Sequence, residues 1–358
     1  MTTRRRELPD APLPSPFPEG WYLIAPRRVI EQAGLFHREW MGEKIIAWID
    51  RSDRMCLAEA FCPHLGASLC PDVGGRIVDG RLVCPFHGFE YDTTGQCVNT
   101  PYGDPPPTAR LRVFETRELM GLVFAWWGLD GREPQWPMPE PQEYPEGWQS
   151  TEFRSLRFIG HPQETTENSV DFSHLNYVHG FGDVTRAAPL VVEGHRLESR
   201  FDFHTTKKVV GLFPVTYDIS ATTLVYGLGI SQVDIREHSV GMDMRLWVFA
   251  TPVDGTLIDL SILSQVREIR RPKRLFTGLG FLPSKMRAPI INKFVASQQI
   301  RDIKKDVVIW GHKKYRSQPR LFRLDGDIMP YRRYCRQFYP APEASGAPAP
   351  SRTDGAER

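Results

Sequence analysis

Two short segments of the chain combine cysteine with histidine at close spacing. One proline separates Cys62 from His64, and two residues separate Cys84 from His87. Nineteen residues lie between the first pair and the second. Two thiolates and two imidazoles can hold a [2Fe–2S] cluster in which the cysteines bind one iron and the histidines bind the other. These four residues therefore indicate an electron-carrying centre.

This spacing is typical of a Rieske [2Fe–2S] cluster, although two cysteines and two histidines also satisfy tetrahedral Zn²⁺. Each pair lies in a loop that contains proline and glycine, and the sequence lacks the Cys-x-x-Cys spacing that is usual in zinc modules. We therefore interpret the four residues as Rieske ligands. A zinc-bound interaction module is the alternative, and it predicts a colourless protein.

A second group of possible ligands lies in residues 167–180. Asp171 and His174 are three residues apart and would share a helix face, whereas His179 lies about 140° from His174 on an ideal helix. The histidines can converge only if the last turn unwinds, and Gly180 can end the helix there. Two histidines and one carboxylate suit Fe(II) and leave open positions for oxygen. Two surface histidines near a helix end are the alternative interpretation.

The elements that must position these residues form two predicted domains. Residues 1–20 contain five prolines and predict an extended or disordered arm. From residue 21 to about 130, short β-rich runs alternate with turn residues, which predicts an all-β domain with the ligand loops at one end. The clearest runs are residues 44–49, 81–84 and 122–127. Residues 131–150 are rich in proline and predict a linker.

The second predicted domain, residues 151–340, has the α+β fold class. Apolar and polar residues alternate at 197–204, 242–248 and 257–263, which predicts an antiparallel sheet with one buried face. Helices are predicted at 164–179 and 291–313. Residues 341–358 are rich in proline, alanine, serine and glycine and predict a disordered tail.

Composition excludes several classes of protein. The chain has 358 residues and is 41% hydrophobic, which suffices for two cores, and lysine plus arginine (45) exceed aspartate plus glutamate (43) by only two. This balance gives no reason to expect a nucleic acid partner. No run approaches the eighteen apolar residues of a membrane span, and no secretory signal is evident. The cysteines outside the cluster show no disulfide pattern, so we expect a cytoplasmic location.

The two ligand groups together resemble those of the Rieske non-haem iron oxygenases, over about residues 21–339. The resemblance implies a Rieske domain followed by a helix-grip catalytic domain, in which His174 and His179 hold a mononuclear Fe(II). The third ligand of that family is an aspartate on a late helix. Asp302 and Asp306 are both candidates, and the sequence that follows Asp306 resembles the steroid-active members, so we choose Asp306.

The family also implies further roles near the iron. Its members form head-to-tail homotrimers, in which His87 of one chain would meet Asp171 of the next and electrons would cross the subunit interface. The competing interpretation is that Asp171 only orients His174. Asn168 is another polar candidate near the iron, whereas we expect Glu167 to be structural.

Electrons must come from another protein. Ala67 and Phe86 occupy the positions at which high-potential Rieske proteins carry a disulfide, so the resemblance implies a low-potential, oxygenase-type cluster. The sequence has no complete G-x-G-x-x-G motif after a predicted strand, and therefore no evident dinucleotide site. We expect a flavin-dependent NAD(P)H reductase, a ferredoxin or both to supply electrons for O₂ activation.

The substrate class is predicted from the similarity of two short segments to particular members of that family. Residues 161–171 and 331–339 resemble 3-ketosteroid 9α-hydroxylase oxygenase components and cholesterol 7-desaturases, which implies hydroxylation or desaturation of a hydrophobic, polycyclic substrate. A smaller aromatic or heterocyclic substrate and a Rieske electron-transfer protein with a binding domain are the alternatives. The basic and apolar segment 270–293 could form a lid, a reductase dock or a membrane contact.

Overall fold

The structure is a computed structural model that describes residues 13–141, 143, 147–209, 213–274 and 281–340. Within these ranges the regular structure of the N-terminal part is mostly β-strand, with one short α-helix, α1 (Arg27–Ala33), and two 3₁₀ helices, Pro71–Val73 and Leu129–Gly131. Its strands are β1 (Gly20–Pro26), β2 (Leu35–Trp40), β3 (Glu43–Ile49), β4 (Met55–Glu59), β5 (Arg76–Val78), β6 (Arg81–Val83), β7 (Glu90–Tyr91), β8 (Cys97–Asn99), β9 (Thr116–Leu119) and β10 (Leu122–Trp127).

These strands form three small antiparallel sheets in the described part of the chain, with the orders β1-β10-β9, β2-β3-β4 and β5-β6-β7-β8. The core shared by the second and third sheets includes Trp48, Tyr91, Cys62 and Cys84, all buried. The cysteines of both ligand loops are therefore anchored in the hydrophobic core, one loop after β4 and the other between β6 and β7.

The C-terminal part is one large antiparallel sheet with helices. Among the described residues, seven strands pair in the order β11-β17-β16-β15-β14-β13-β12. The strands are β11 (Ser150–Ile159), β12 (Gly182–Glu193), β13 (Arg196–Val209), β14 (Phe213–Tyr226), β15 (Ile230–Glu237), β16 (Met242–Pro252) and β17 (Leu257–Ile269). The helices are α2 (Pro162–Glu167), α3 (Phe172–Tyr177), α4 (Ser284–Trp310) and α5 (Ile328–Cys335). This architecture confirms the predicted fold class, a β domain followed by a sheet that holds a long helix.

Helix α4 is fixed along the sheet by the buried side chain of Asn292. Its amide nitrogen donates to the Ser150 hydroxyl at 3.1 Å and to the Ser264 carbonyl at 2.9 Å, and its oxygen accepts from the Ser264 hydroxyl at 2.7 Å. A buried amide whose hydrogen bonds are satisfied can hold a helix in a single position. The helix is thereby attached to both β11 and β17.

The large sheet is covered on both faces, whereas the sequence predicted one buried face. Side chains of alternate residues point to opposite faces of a strand. Ile230, Trp247, Phe249 and Leu263 pack against Trp21, Leu23, Phe124 and Trp126 of the N-terminal domain. Their neighbours in sequence face the opposite side, where they line a cavity beneath α4. The prediction missed this domain contact because alternation reveals which residues share a face but not what covers each face.

The predicted helices differ from the observed ones at their ends. The segment predicted as one helix at 164–179 is two helices, α2 and α3, and the residues between them form a turn that ends at Asp171, the N-cap of α3. Helix α4 begins seven residues before the predicted start and includes Pro289 in its second turn. Proline is unfavourable inside helices, so the sequence pattern favoured a later start.

The predicted arm and linker are partly built into the fold. Phe17 packs into the N-terminal core, and Glu19 is buried and pairs with Arg132. In the linker, Trp136 packs edge-on against Trp126 and stacks on His195, with centroid distances of 4.6 and 5.3 Å. Residues 1–12 of the arm, the tail at 341–358 and residues 275–280 of the basic segment lie outside the described residues.

Two further observations concern membrane spans and the cysteines. The helices within the described ranges are too short or too polar to cross a membrane. All six cysteines lie in the described ranges, and each is a buried free thiol.

Candidate iron–sulfur and metal sites

The two cysteine loops of the N-terminal domain share one backbone pattern. The N–H of Gly66 donates to the Cys62 carbonyl at 2.8 Å, and the N–H of Gly88 donates to the Cys84 carbonyl at 3.1 Å. Both glycines have positive φ, +74° and +68°, a conformation that most other residues avoid. A proline follows each cysteine and fixes φ at the first position of the turn. Each cysteine is therefore presented by the same tight turn.

Burial separates the four predicted cluster ligands into two pairs. Cys62 and Cys84 are each 2% exposed, whereas His64 is exposed and His87 half-buried. The imidazole rings lie side by side with centroids 4.8 Å apart, and His64 also stacks on Phe89 at 4.5 Å. Two sulfurs inside and two imidazoles outside fit a cluster whose cysteine-bound iron is buried and whose histidine-bound iron faces the surface.

Tyr91 adds a polar contact to the buried side of this site. Its hydroxyl lies 3.0 Å from the Cys62 sulfur. Burial raises the pKa of Tyr91, and the hydrogen bond to Cys62 raises it further. The phenol is therefore a stable hydrogen-bond donor to the sulfur. The sequence analysis missed Tyr91 because a lone tyrosine on a strand carries no spacing signal.

In the C-terminal domain, His174, His179 and Asp306 converge, with ligand atoms all within 4.8 Å of one another. His179 Nε2 lies 3.2 Å from Asp306 Oδ1. Two ligands bound at right angles to one ion at about 2.1 Å lie about 3 Å apart, so this separation suits a shared metal. The convergence depends on α3 ending at Tyr177, because His179 then lies in the turn that closes at Gly180, φ +69°.

His174 is oriented by the residue that caps its helix. Its Nδ1 lies 2.5 Å from the Asp171 main-chain oxygen, so Nδ1–H donates there and Nε2 is left for a metal. The Asp171 carboxylate accepts from the His174 N–H at 3.3 Å and from the Ser173 hydroxyl at 2.9 Å. The nearer contact to the imidazole therefore comes from the backbone of Asp171, since its carboxylate oxygen is 3.7 Å from Nδ1.

The side chains of His179 and Asp306 are almost fully buried, 6% and 9% exposed. His179 Nδ1 is buried without a hydrogen-bond partner among the described residues. Asp302 lies one turn before Asp306 and also lines the cavity, but its carboxylate pairs with Lys305 at 3.1 Å. The buried His–His–Asp group fits a divalent iron better with Asp306 than with Asp302.

A buried ionic network holds α2 beside this group. Glu167 accepts from Arg332 Nε at 2.7 Å, and Lys313 lies 2.8 Å from Glu164 and 3.4 Å from Glu167. Burial lowers the pKa of Lys313, but the two carboxylates outweigh it and the pKa is raised. Burial also lowers the pKa of Arg332, but Glu167 outweighs this effect and the pKa is raised. Glu167 thus links α2 to α5 and to the segment after α4.

The His–His–Asp group lies on the wall of a cavity of about 690 Å³. Most of its wall is apolar, from α4 and from the inner faces of β13 to β16. Asn168 shares the wall with both histidines. Glu237 and Tyr217 also line the cavity, and the sequence analysis missed them. The only signal for them in the sequence is that Glu237 continues the alternation of Ser231, Val233 and Ile235.

Comparison with known proteins identifies both domains. Residues 20–115 match the Rieske [2Fe-2S] domain, and residues 125–339 match the 3-ketosteroid 9alpha-hydroxylase C-terminal domain. The chain is 27% identical over 350 residues to a cholesterol 7-desaturase of Xenopus laevis, covering 94% of this chain and 74% of that one. It is 25% identical over 351 residues to the oxygenase component of 3-ketosteroid-9-alpha-monooxygenase of Rhodococcus rhodochrous, covering 93% and 84%.

Solved structures share the fold. Dicamba monooxygenase bound to 3,6-dichlorosalicylic acid superposes with a TM-score of 0.67 at 18% identity, covering 89% of this chain and 96% of that one. A mutant of NdmA from Pseudomonas putida CBB5 with theobromine gives a TM-score of 0.65 at 16% identity, covering 88% and 89%. At this identity the likeness concerns the fold alone.

The order of the domains, the two cysteine–histidine loops and the large sheet beside the His–His–Asp group agree with these matches. The C-terminal match spans more than half of the chain. The chain therefore belongs to the 3-ketosteroid 9α-hydroxylase C-terminal domain family, carries a Rieske [2Fe–2S] domain before it, and is an oxidoreductase of the Rieske oxygenase class.

Proposed function

We propose that this chain is a terminal oxygenase that hydroxylates or desaturates a hydrophobic, polycyclic substrate related to steroids or sterols. The observation that carries this proposal is the long apolar cavity beside the His–His–Asp group. Asp306 and Ile290 both line it, and sixteen residues of α4 separate them, about 24 Å along a helix. A small aromatic ring would fill only a fraction of such a cavity, whereas an elongated polycycle matches its length.

We propose His174, His179 and Asp306 as the ligands of the mononuclear iron and Cys62, His64, Cys84 and His87 as those of the cluster. When bound, the cluster supplies single electrons and the iron activates O₂ beside the substrate. The protein's own contribution is positional. Asp171 orients the His174 ring, the apolar wall excludes water from the substrate, and Asn168 offers a polar group beside the two histidines.

We further propose that a separate reductase or ferredoxin delivers the electrons, as the name of the Rhodococcus oxygenase component implies for that protein. The chains would assemble as head-to-tail trimers, in which His87 of one chain meets Asp171 of the next. Exposed apolar side chains support a contact on each of these surfaces. Leu65 and Phe86, beside the cluster histidines, are 66% and 62% exposed, and Tyr177 of α3 is 92% exposed.

Iron content tests the assignment of the metal ligands. The purified chain should hold about three irons, two in the cluster and one in the mononuclear site. His174→Ala should lower this to about two and abolish product formation while the visible absorption of the cluster persists. His312→Ala is the control, because His312 is exposed just after α4 and its ring contacts the Val308 carbonyl, away from the metal group. Full product formation by His174→Ala would refute the assignment.

Mass spectrometry tests the substrate class. The reconstituted enzyme with a reductase would be incubated with steroids, sterols and small aromatic compounds. We expect product only from the polycyclic compounds, with the gain of one oxygen marking hydroxylation and the loss of two hydrogens marking desaturation. Turnover restricted to the small aromatic compounds would contradict the proposal.

A further inference from the structure

The floor of the cavity is made of alternate residues from neighbouring strands. Each of these strands contributes every second side chain, as expected for one face of a sheet. The lining residues are Tyr217, Ile219, Ala221 and Thr223 on β14, Ser231, Val233, Ile235 and Glu237 on β15, and Met242, Met244, Leu246, Val248 and Ala250 on β16. Position along these strands therefore measures position along the cavity.

The metal group and Glu237 lie at opposite ends of this floor. At one end, Ala250 packs in the same cluster as Trp310, which follows Asp306 by one turn of α4. At the other end, Glu237 pairs with Met242, which packs against Ile291 in the first half of α4. Six residues of β15 separate Ser231 from Glu237, about 20 Å in a strand. The lining residues of α4 and those of β15 thus give similar lengths for the cavity.

Glu237 is an acidic group at an end of the wall that is lined mostly by apolar side chains. It is 2% exposed, and its two carboxylate oxygens accept hydrogen bonds from the N–H groups of Ser239, at 2.8 Å, and Val240, at 2.7 Å. Each oxygen retains a lone pair for a further donor. The turn after β15 therefore fixes the carboxylate in place with acceptor capacity left over.

Tyr217 is a diagonal neighbour of Glu237 on the same face. Ile219 pairs directly with Glu237, and Tyr217 lies two residues before it. Diagonal neighbours across antiparallel strands are within reach of long side chains. Burial raises the pKa of Tyr217, and the charge of Glu237 raises it further, so the phenol keeps its proton. One acceptor and one donor thus line the same end of the cavity.

We propose that Glu237 and Tyr217 bind a hydroxyl group on the substrate, at the end of the molecule farthest from the bond that is oxidised. This inference rests on the proposed function. A hydroxyl group donates to Glu237 and accepts from Tyr217, so it uses both residues. A ketone can only accept from Tyr217, and a carboxylate is repelled by Glu237. The pair therefore selects a hydroxylated polycycle over its ketone.

A matched pair of substrates tests this selection. A 3-hydroxysteroid and the corresponding 3-ketosteroid would be compared by equilibrium binding, followed by tryptophan fluorescence, and by kcat/KM with a reductase. A hydrogen bond to a charged group predicts about 10-fold to 100-fold tighter binding of the hydroxysteroid. Glu237→Gln should bring this ratio close to one, whereas Tyr217→Phe should weaken binding of both compounds.

Glu198→Gln is the matched control, because Glu198 is another buried carboxylate of the sheet but pairs with Arg196 and Arg200 outside the cavity. It should leave the ratio unchanged. Steroid turnover with an unchanged ratio in Glu237→Gln would overturn this inference and leave the proposed function intact. The absence of steroid binding and turnover in the wild type would overturn both. If Glu237→Gln fails to fold, equal binding of the two steroids by Tyr217→Phe or by the wild type would also overturn it.

Discussion

At the scale of single residues, Tyr91 connects the cluster to the core of its domain. It is buried, and its hydroxyl contacts the sulfur of Cys62 at 3.0 Å. A hydrogen bond to a ligand sulfur stabilises the reduced, more negative cluster more than the oxidised one. Tyr91 would therefore raise the reduction potential of the cluster. It would partly offset the low potential that Ala67 and Phe86 imply.

Tyr91→Phe should lower the reduction potential of the cluster. If the lost hydrogen bond favours the reduced state by about 1 kcal/mol, the shift is on the order of 40 mV for one electron. A redox titration followed by visible absorption measures it. Tyr102→Phe, which alters an exposed tyrosine of the same domain, should leave the potential unchanged. An unaltered potential in Tyr91→Phe would show that this bond does not tune the cluster.

Sequence predicted the residues whose chemistry requires several partners at fixed spacing. Two thiolates and two imidazoles in paired loops suit few sites besides a Rieske cluster. His174 and His179 were interpreted as iron ligands because the cluster ligands precede them in the sequence. The choice between Asp302 and Asp306 could not be derived from spacing, since they lie one helical turn apart. Tyr217 and Tyr91 carried no signal, and Glu237 carried only its place in the alternation of β15, because each acts alone on its strand and only the assembled sheet brings it to a site.

At the scale of elements, the end of α3 at Tyr177 is what brings the metal group together. A continuous helix would separate His174 and His179 by about 140°, as the sequence showed. The sequence anticipated unwinding before Gly180 but not the earlier break between α2 and α3, because that break depends on the capping of a new helix start by Asp171. Three of the seven strands of the large sheet, β13, β16 and β17, contain the segments that were predicted from alternation, whereas β11, β12, β14 and β15 were not predicted.

The N-cap of α2 predicts a pH effect. His161 Nδ1 accepts from the Gln163 N–H at 3.2 Å, and Nε2 lies 3.1 Å from the Ser15 carbonyl, so the ring is bonded in its neutral form. Burial lowers the pKa of His161, and the carbonyl contacts offset this only partly. The unfolded chain thus binds a proton more readily, and this contribution to stability is present above about pH 6.5 and lost as the pH falls below it.

His161→Asn should retain the cap and flatten the loss of stability between about pH 8 and 5. His161→Ala should cost about 1 kcal/mol at neutral pH, because the cap is lost. Chemical denaturation followed by circular dichroism measures both effects. His37→Ala, which removes an exposed histidine, should follow the wild-type pH profile. A His161→Asn profile as steep as the wild type would contradict this account.

At the scale of the whole molecule, the large sheet separates the Rieske domain from the cavity within one chain. Its outer face packs against Trp21 and Phe124, while its inner face forms the floor of the cavity that the metal group also lines. The cluster histidines instead face the surface. This arrangement favours electron transfer to a neighbouring subunit, as the trimer proposal requires.

Mixed assemblies test that route. His87→Ala and His174→Ala should each be inactive alone, the first lacking a cluster ligand and the second an iron ligand. Coexpressed, they should form mixed trimers that regain part of the activity, because an intact cluster in one chain can serve an intact iron in the next. Light scattering should give the mass of three chains. Mixed assemblies without recovered turnover would indicate a route within each chain.

The two-faced sheet also constrains how the protein can change over evolution. Each strand of the cavity floor alternates between residues that meet substrate and residues that meet the other side of the sheet. A one-residue insertion or deletion in β15 or β16 would exchange these two sets and disrupt both the cavity and the domain contact. Relatives that adapt to different substrates should therefore differ here by substitutions at every second position, and length changes should be confined to the connecting turns.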